Sequence, residues 1–401
     1  MKNVIVFMKR EVVLCISLLL AVISSFVVPP DKEYAGYIDY RTLAILLCLM
    51  IVMAGLQKIG IFERVAQALL RRVRGFGGLV QVLMLLCFFS GMLITNDVAL
   101  ITFVPFTFTV LGMIGGEQKR KLILPVVAMQ TIAANLGSML TPIGNPQNLY
   151  LYSKSGMSIG SFVLLMLPYA LLSLVLLAVW GLVLGKRCPS EWSALDKTEI
   201  VGKDISSEGG FNEDCGIGER EKKPFCLKEV SVPLSVYLFL FLLCLLTVIH
   251  VLSWQVVTGI VLVTVLVMDW RVLGKADYFL LLTFVGFFVF IGNMGRISVF
   301  RSFLQNVVEN REVYAAIAAS QIISNVPAAL LLSGFTQNYA ALVIGVNLGG
   351  LGTLIASMAS LISYKYVAKE ETDRKGAYIA IFTVSSVCFL IALVILHFLL
   401  S

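Results

Sequence analysis

The chain has 401 residues, of which 59% are hydrophobic and 14% charged, with a net charge of +7 and a mean hydropathy of +0.92. A soluble domain carries about 25% charged residues, so a water-soluble globular protein is excluded. The basic excess is explained below by its placement along the chain, and no nucleic-acid partner is expected.

From the N-terminus, MKNVIVFMKR leads into an apolar run that ends near Val28. No small-residue cleavage site follows it, so a retained first transmembrane span over 1–37 is expected rather than a removed leader. Further apolar runs recur, among them 159–185, 231–251 and 376–400. Each meets the need for about 20 apolar residues to cross a hydrocarbon layer of about 30 Å. The fold class expected is an all-α polytopic membrane protein with about 10–12 membrane segments. Cys15, Cys48, Cys87, Cys244 and Cys388 sit in apolar runs as small hydrophobes. Cys188, Cys215 and Cys226 match no metal spacing.

Basic residues cluster at the N-terminus, at 58–74, at 119–121, between 186 and 230, at 271–275 and at 365–375. Lys and Arg stay cytoplasmic, which places these stretches inside and leaves six outside: Lys32, Arg41, Lys154, Arg296, Arg301 and Arg311. An inner or plasma membrane location follows, with the N-terminus cytoplasmic. Segment 186–230 is polar, contains Pro189 and Pro224, and reads as a solvated cytoplasmic linker. It separates a first transport repeat, 38–185, from a second, 231–401, which carries extra spans.

Three blocks recur in order on the two sides of the linker. AGLQKIGIFERVAQ (54–67) is matched by GNMGRISVFRSFLQ (292–305), and ITNDVAL (94–100) by ISNVPAA (323–329). NLGSMLTPIGNPQNL (135–149) is matched by NLGGLGTLIASMASL (347–361). The basic clusters give the halves opposite orientation, the plan of many secondary transporters. Arms of about 11 residues either side of Ser324-Asn325, near 313–323 and 327–337, reach only roughly 16 Å, so a re-entrant hairpin is expected there. Its counterpart has Thr95-Asn96-Asp97 at the tip. TPIGN (141–145) and TLIAS (353–357) are expected to break two helices, freeing amides and carbonyls to face a central site. A Cβ at Gly144 would crowd a cation or the hairpin tip.

Asp97 lies deep in an apolar stretch, where an acid is costly and a functional candidate. Asp269 and Asp277 fall near cytoplasmic span ends. Arg64, Arg71, Arg72 and Arg74 are assigned to an interfacial amphipathic helix that begins at Ile61, with a counterpart near 296–308. His250 and His397 stand near span ends, away from these motifs.

Paired hairpins with Asn-centred tips, each followed by a broken helix of TPIG type, resemble the ion transporter superfamily. That group includes citrate/dicarboxylate-type anion permeases, divalent anion:sodium symporters, arsenite permeases and certain sodium/proton antiporters. The likeness runs from about 38 to 400 and is strongest in TPIGNPQN, TND and SNVP. It implies one cation site from Thr95, Asn96 and the Gly144 carbonyl, with Gly91 one turn earlier. It implies another from Ser320, Asn325 and the Ala356 carbonyl, with Na⁺ as the coupling ion and no other cofactor. It places substrate contacts at Asn96, Asp97, Thr141, Asn145, Asn325, Thr353 and Ser357. The dicarboxylate branch carries Ser-Asn-Thr at its tips, whereas this chain has Asp97 and Val326 at the third position.

The function expected is secondary transport of a small anion or oxyacid such as citrate or a dicarboxylate, coupled to Na⁺ or H⁺, by a homodimer in the bilayer. An arsenite-type efflux permease or a Na⁺/H⁺ antiporter is the alternative, favoured by Asp97. A membrane-embedded enzyme would need paired acids or a His/metal cluster. No phosphate-cradling loop for an ATPase is present.

Overall fold

The computed structural model describes residues 11–70, 73, 75–114, 116–186 and 227–400. Those residues are almost entirely helical and include no strand. The chain is an all-α polytopic membrane protein. Seven of its helices are long and apolar enough to cross a membrane, and five shorter apolar helices accompany them among the described residues. Most of the predicted linker, and Arg71, Arg72 and Arg74 of the predicted interfacial helix, lie outside the described residues.

A first helix, α1 (Val12–Val27), precedes a series formed by α2 (Tyr40–Ile59), α3 (Ile61–Leu70), α4 (Gly75–Ile94), α5 (Asn96–Ile114), α6 (Gly116–Ser138), α7 (Pro146–Ser155) and α8 (Ile159–Lys186). Beyond the linker come α9 (Leu227–Val248) and α10 (Trp254–Asp269). The same succession then returns as α11 (Tyr278–Arg296), α12 (Ser298–Val308), α13 (Glu312–Ile323), α14 (Asn325–Ser333), α15 (Tyr339–Gly349), α16 (Met358–Glu370) and α17 (Lys375–Leu400).

Local signals explain the boundaries. The Asp39 carboxylate accepts from the Thr42 N–H at 3.0 Å and starts α2, and Gly60, at φ 76°, ends it. Asn145 accepts from the Asn148 N–H at 3.0 Å with Pro146 at the first helical position, so Asn-Pro restarts α7. The amphipathic segment after each lead helix forms α3 and α12, 10 and 11 residues long.

Polar contacts identify the two ends of the bundle. Arg41 of α2 meets the Thr247 carbonyl and His250 after α9, while Lys58 at the other end of α2 pairs with Asp269 of α10. Arg296, which ends α11, donates to Asp31 at 2.6 Å and to the Tyr37 hydroxyl at 3.1 Å, beside the start of α2. Arg374 reaches the Arg120 carbonyl. Helix α1 runs parallel to α11, because a Cβ at Gly286 would meet Ser17 Oγ, at 2.7 Å, and Asn293 donates to Ser24 Oγ at 2.9 Å. The lead helices α2 and α11 therefore run in opposite directions.

The arms α13 and α14 are 12 and 9 residues long and meet at Ser324. The second arm is shorter than the sequence pattern suggested: helix begins at Asn325, with Pro327 in the first turn where its missing N–H costs nothing, but it stops at Ser333 instead of running on to 337. Near their outer ends, Tyr314 packs on His397 and Gly334 faces Ile291, late in α11, so both arms open toward the Arg296 end. Helix α4 has crossing length, yet its tip stops beside Ser138, where α6 ends.

Candidate substrate and cation site at the two helix breaks

Each hairpin turns on a single non-helical residue. Thr95 has φ 98° and Ser324 φ 74°. A left-handed backbone is unfavourable for a side chain with a Cβ, most of all a β-branched one, and such strain persists only where surrounding contacts hold it. Asn96 and Asn325 follow at once, both buried, as the first residues of α5 and α14.

Each tip lies against the break of a neighbouring helix. The Asn96 N–H donates to the Gly144 carbonyl at 3.1 Å, and its side chain donates to Asn135 Oδ1 at 3.0 Å while accepting from the Asp97 N–H at 3.0 Å. In the second half, Ser324 Oγ donates to the Ala356 carbonyl at 3.5 Å and to Asn325 Oδ1 at 3.4 Å. Thr95 and Asn96 thus lie beside Gly144, as Ser324 and Asn325 lie beside Ala356. Gly91 and Ser320 occupy equivalent turns of α4 and α13. Gly91 packs on the Ala134 carbonyl, and the buried Ser320 hydroxyl donates to the Ala316 carbonyl at 2.7 Å.

The other predicted substrate contacts have mixed surroundings. Thr141 donates to the Met92 carbonyl at 2.5 Å, tying the first break to α4. Asn145 donates to Ser138 Oγ at 3.1 Å and to Asn347 Oδ1 at 3.2 Å, and Ser357 donates to Asn135 Oδ1 at 3.1 Å. Thr353 is exposed; its N–H donates to Gln321 Oε1 at 3.0 Å and its carbonyl accepts from the Ala356 N–H at 3.2 Å. The Asp97 side chain is half-buried, and its carboxylate makes no hydrogen bond or ion pair among the described residues. The nearest atom a Cβ at Gly144 would meet is the Ser138 carbonyl of its own broken helix, which by itself requires this residue to be small.

Five residues that the motif reading passed over complete the lattice. Asn135 donates to Ser360 Oγ at 3.2 Å, and Asn347 donates to Asn148 Oδ1 at 2.6 Å. Gln321 donates to the Gly349 and Leu351 carbonyls at 2.9 and 2.8 Å and accepts from the Thr353 N–H, so one amide holds the second break open. The shared Asn-Leu-Gly that opens both blocks was the available signal. In each copy the Asn bonds the other half's restarting helix and the Gly lies against its own hairpin, Gly137 on Phe88 and Gly349 on Ile317 and Ser320.

Carbonyls, hydroxyls and amides make up both clusters, an oxygen donor set that suits a hard cation and offers nothing to a thiolate-preferring metal. A family model described as "Citrate transporter" matches residues 4–340. The chain belongs to the citrate transporter family. Similar proteins include "Inner membrane protein YbiR" of Escherichia coli (strain K12), 30% identical over 85% of this chain and 84% of that protein. "Uncharacterized transporter MJ0456" of Methanocaldococcus jannaschii is 29% identical over 83% of this chain and 82% of that one. "Silicon efflux transporter LSI3" of Oryza sativa subsp. japonica is 29% identical over 44% of this chain and 36% of its own length. As a member of the citrate transporter family, the chain is a multi-pass membrane transporter that handles a small molecule in a lipid bilayer.

Proposed function

We propose that this protein is a secondary active transporter of a small anion, such as citrate or a dicarboxylate, coupled to Na⁺ or H⁺ across the inner membrane. The observation that carries this reading is the pair of matched junctions, Asn96 N–H to Gly144 carbonyl and Ser324 Oγ to Ala356 carbonyl. At each, unwound backbone stands at membrane depth, where it persists only if it is buried in protein or lines a polar cavity. The opposite directions of α2 and α11 support inverted repeats, each with a re-entrant hairpin. The basic clusters support a cytoplasmic N-terminus and linker.

Na⁺ would be held by Thr95, Asn96 and the Gly144 carbonyl near Gly91, and by Ser320, Asn325 and the Ala356 carbonyl. A bound cation would supply positive charge beside the breaks to draw in a carboxylate. Asn96, Asn325, Asn145, Thr141, Thr353 and Ser357 would meet the anion. To do so, Asn145 and Ser357 would exchange their present bonds to Asn347 and Asn135.

The half-buried, unpaired carboxylate of Asp97 favours a second reading, an oxyacid efflux permease or a Na⁺/H⁺ antiporter, because an ionised Asp97 repels an anion but can exchange a proton. Reconstituted vesicles loaded with citrate, succinate, arsenite or Na⁺ under imposed Na⁺ and pH gradients separate the two. Gradient-driven citrate or succinate flux supports the first reading. Arsenite or Na⁺/H⁺ exchange without organic anion flux replaces it with the second.

A further inference from the structure

At the end of the bundle that holds Arg41, away from both helix breaks, α2, the turn after α9, the start of α10 and the end of α7 meet. There a cavity of about 340 Å³ is lined by Arg41, His250, Ser253, Trp254 and Gln255. Arg41 has no carboxylate partner among the described residues. Its Nη2 donates to the Thr247 carbonyl at 3.4 Å and to His250 Nδ1, and its buried Nε is unsatisfied. The nearest acid in sequence, Asp39, is committed to the Thr42 N–H and hydroxyl at 3.0 and 2.7 Å. Tyr152 of α7 places its ring 6.0 Å from that of His250, and Lys154 lies over the Tyr150 ring at 5.9 Å, which adds a second cation to this end of α7.

A guanidinium that contacts only a carbonyl and a neutral imidazole keeps donors in reserve. Leaving a charged group without a counter-ion at a partly desolvated position is costly, and its planar fork matches carboxylate and phosphate geometry. We propose that Arg41, with His250 and Gln255, forms an oxyanion-binding site, distinct from the helix breaks, for a carboxylate or phosphate group. His250 adopts a left-handed backbone, φ 65°, which aims its ring back at Arg41. Burial and the Arg41 charge both hold its pKa below the usual histidine value. The neutral ring therefore accepts from Arg41 near pH 7. An arriving anion would compete for that donor, and the freed Nδ1 could take up a proton and contribute a second charge. Of the titratable groups facing His250, Arg41 comes from α2 and Tyr152 from α7.

Trp254 in the cavity wall gives a local readout. In the full-length protein with Trp180, Trp192 and Trp270 replaced by Phe, Trp254 emission should change saturably with citrate or inorganic phosphate, measured in neutral-lipid nanodiscs at constant ionic strength. Arg41→Gln should weaken this at least tenfold, and Arg41→Lys less. His250→Asp suits the left-handed backbone and would fill the site with its own carboxylate, so it should also abolish the response even if the Arg41 variants assemble poorly. Saturation only as anionic phospholipid is titrated into the nanodiscs, again lost in these variants, identifies the oxyanion as a lipid headgroup. A response unchanged by Arg41→Gln and His250→Asp, or no saturable response to citrate, phosphate or anionic lipid, overturns the proposal. An Asn145→Ala variant should respond as the parent does, whereas loss of the Trp254 signal in that variant would assign the anion to the helix breaks and overturn it as well.

Discussion

Asn347, in the first part of the second broken helix, donates its side-chain amide to Asn148 Oδ1 of the first broken helix at 2.6 Å. Asn135 stands in the repeat-related place and bonds Ser357 and Ser360 of the second half at 3.1 and 3.2 Å. Each broken helix thus holds the other where that one resumes, so reciprocal bonds join the two breaks.

Replacing Asn347 with Ala should leave Asn145 and Asn148 with unmet groups in a buried place. Interhelical polar contacts in membranes are worth about 0.6 kcal/mol on average and about 1.7 at most. A loss of about 1–2 kcal/mol is expected, read as a lower thermal midpoint of the purified protein. Asn347→Ala and Asn148→Ala should be non-additive in a double-mutant cycle; additive losses would mean that the two side chains do not depend on each other.

Gly144→Ala should impair transport and lower stability together, because its Cβ meets the Ser138 backbone carbonyl, which cannot rotate away as a side chain could. Gly112→Ala is the control, since nothing lies within 4 Å of a Cβ there. Comparable thermal midpoints and flux in the two variants would contradict the steric account.

Gln321→Leu removes the group that bonds the Gly349 and Leu351 carbonyls and the Thr353 N–H. Each buried backbone group left unpaired costs about 1–3 kcal/mol, so Gln321→Leu should be among the most damaging single changes near the second break. Gln321→Glu, which can still accept from the Thr353 N–H but cannot donate, should fall between it and the wild type. The midpoint of detergent-purified protein checks the order.

Asp97→Asn keeps size and most hydrogen-bonding capacity but cannot titrate. If Asp97 exchanges a proton during transport, the pH–rate profile of vesicle flux should flatten in the variant and proton coupling should vanish, while substrate exchange survives. A variant with the wild-type profile would leave Asp97 a structural carboxylate.

By itself the sequence was enough to establish the all-α membrane class and to mark the hairpin tip at Ser324 and the two breaks. Those features rest on local physics: apolar run length against bilayer thickness, Pro and Gly inside TPIGN, and arms beside Ser324 too short to cross. The repeat was legible because Asn-Leu-Gly occurs twice at the same distance before a break. The purpose of that motif was not. Whether Asn135 serves its own hairpin or the opposite half depends on where residues more than 200 positions away come to rest, as in its bond to Ser357. The contact of Gly144 with Ser138 was not legible for a related reason, since the turn from Ser138 to Gly144 folds back on itself in a way no periodicity encodes. His250 looked like an isolated span-end histidine until the antiparallel packing of α2 on α9 brought Arg41 to its ring. Tertiary structure alone decided these pairings, because the polar side chains of a helical membrane protein are satisfied across helices that the chain order does not place side by side.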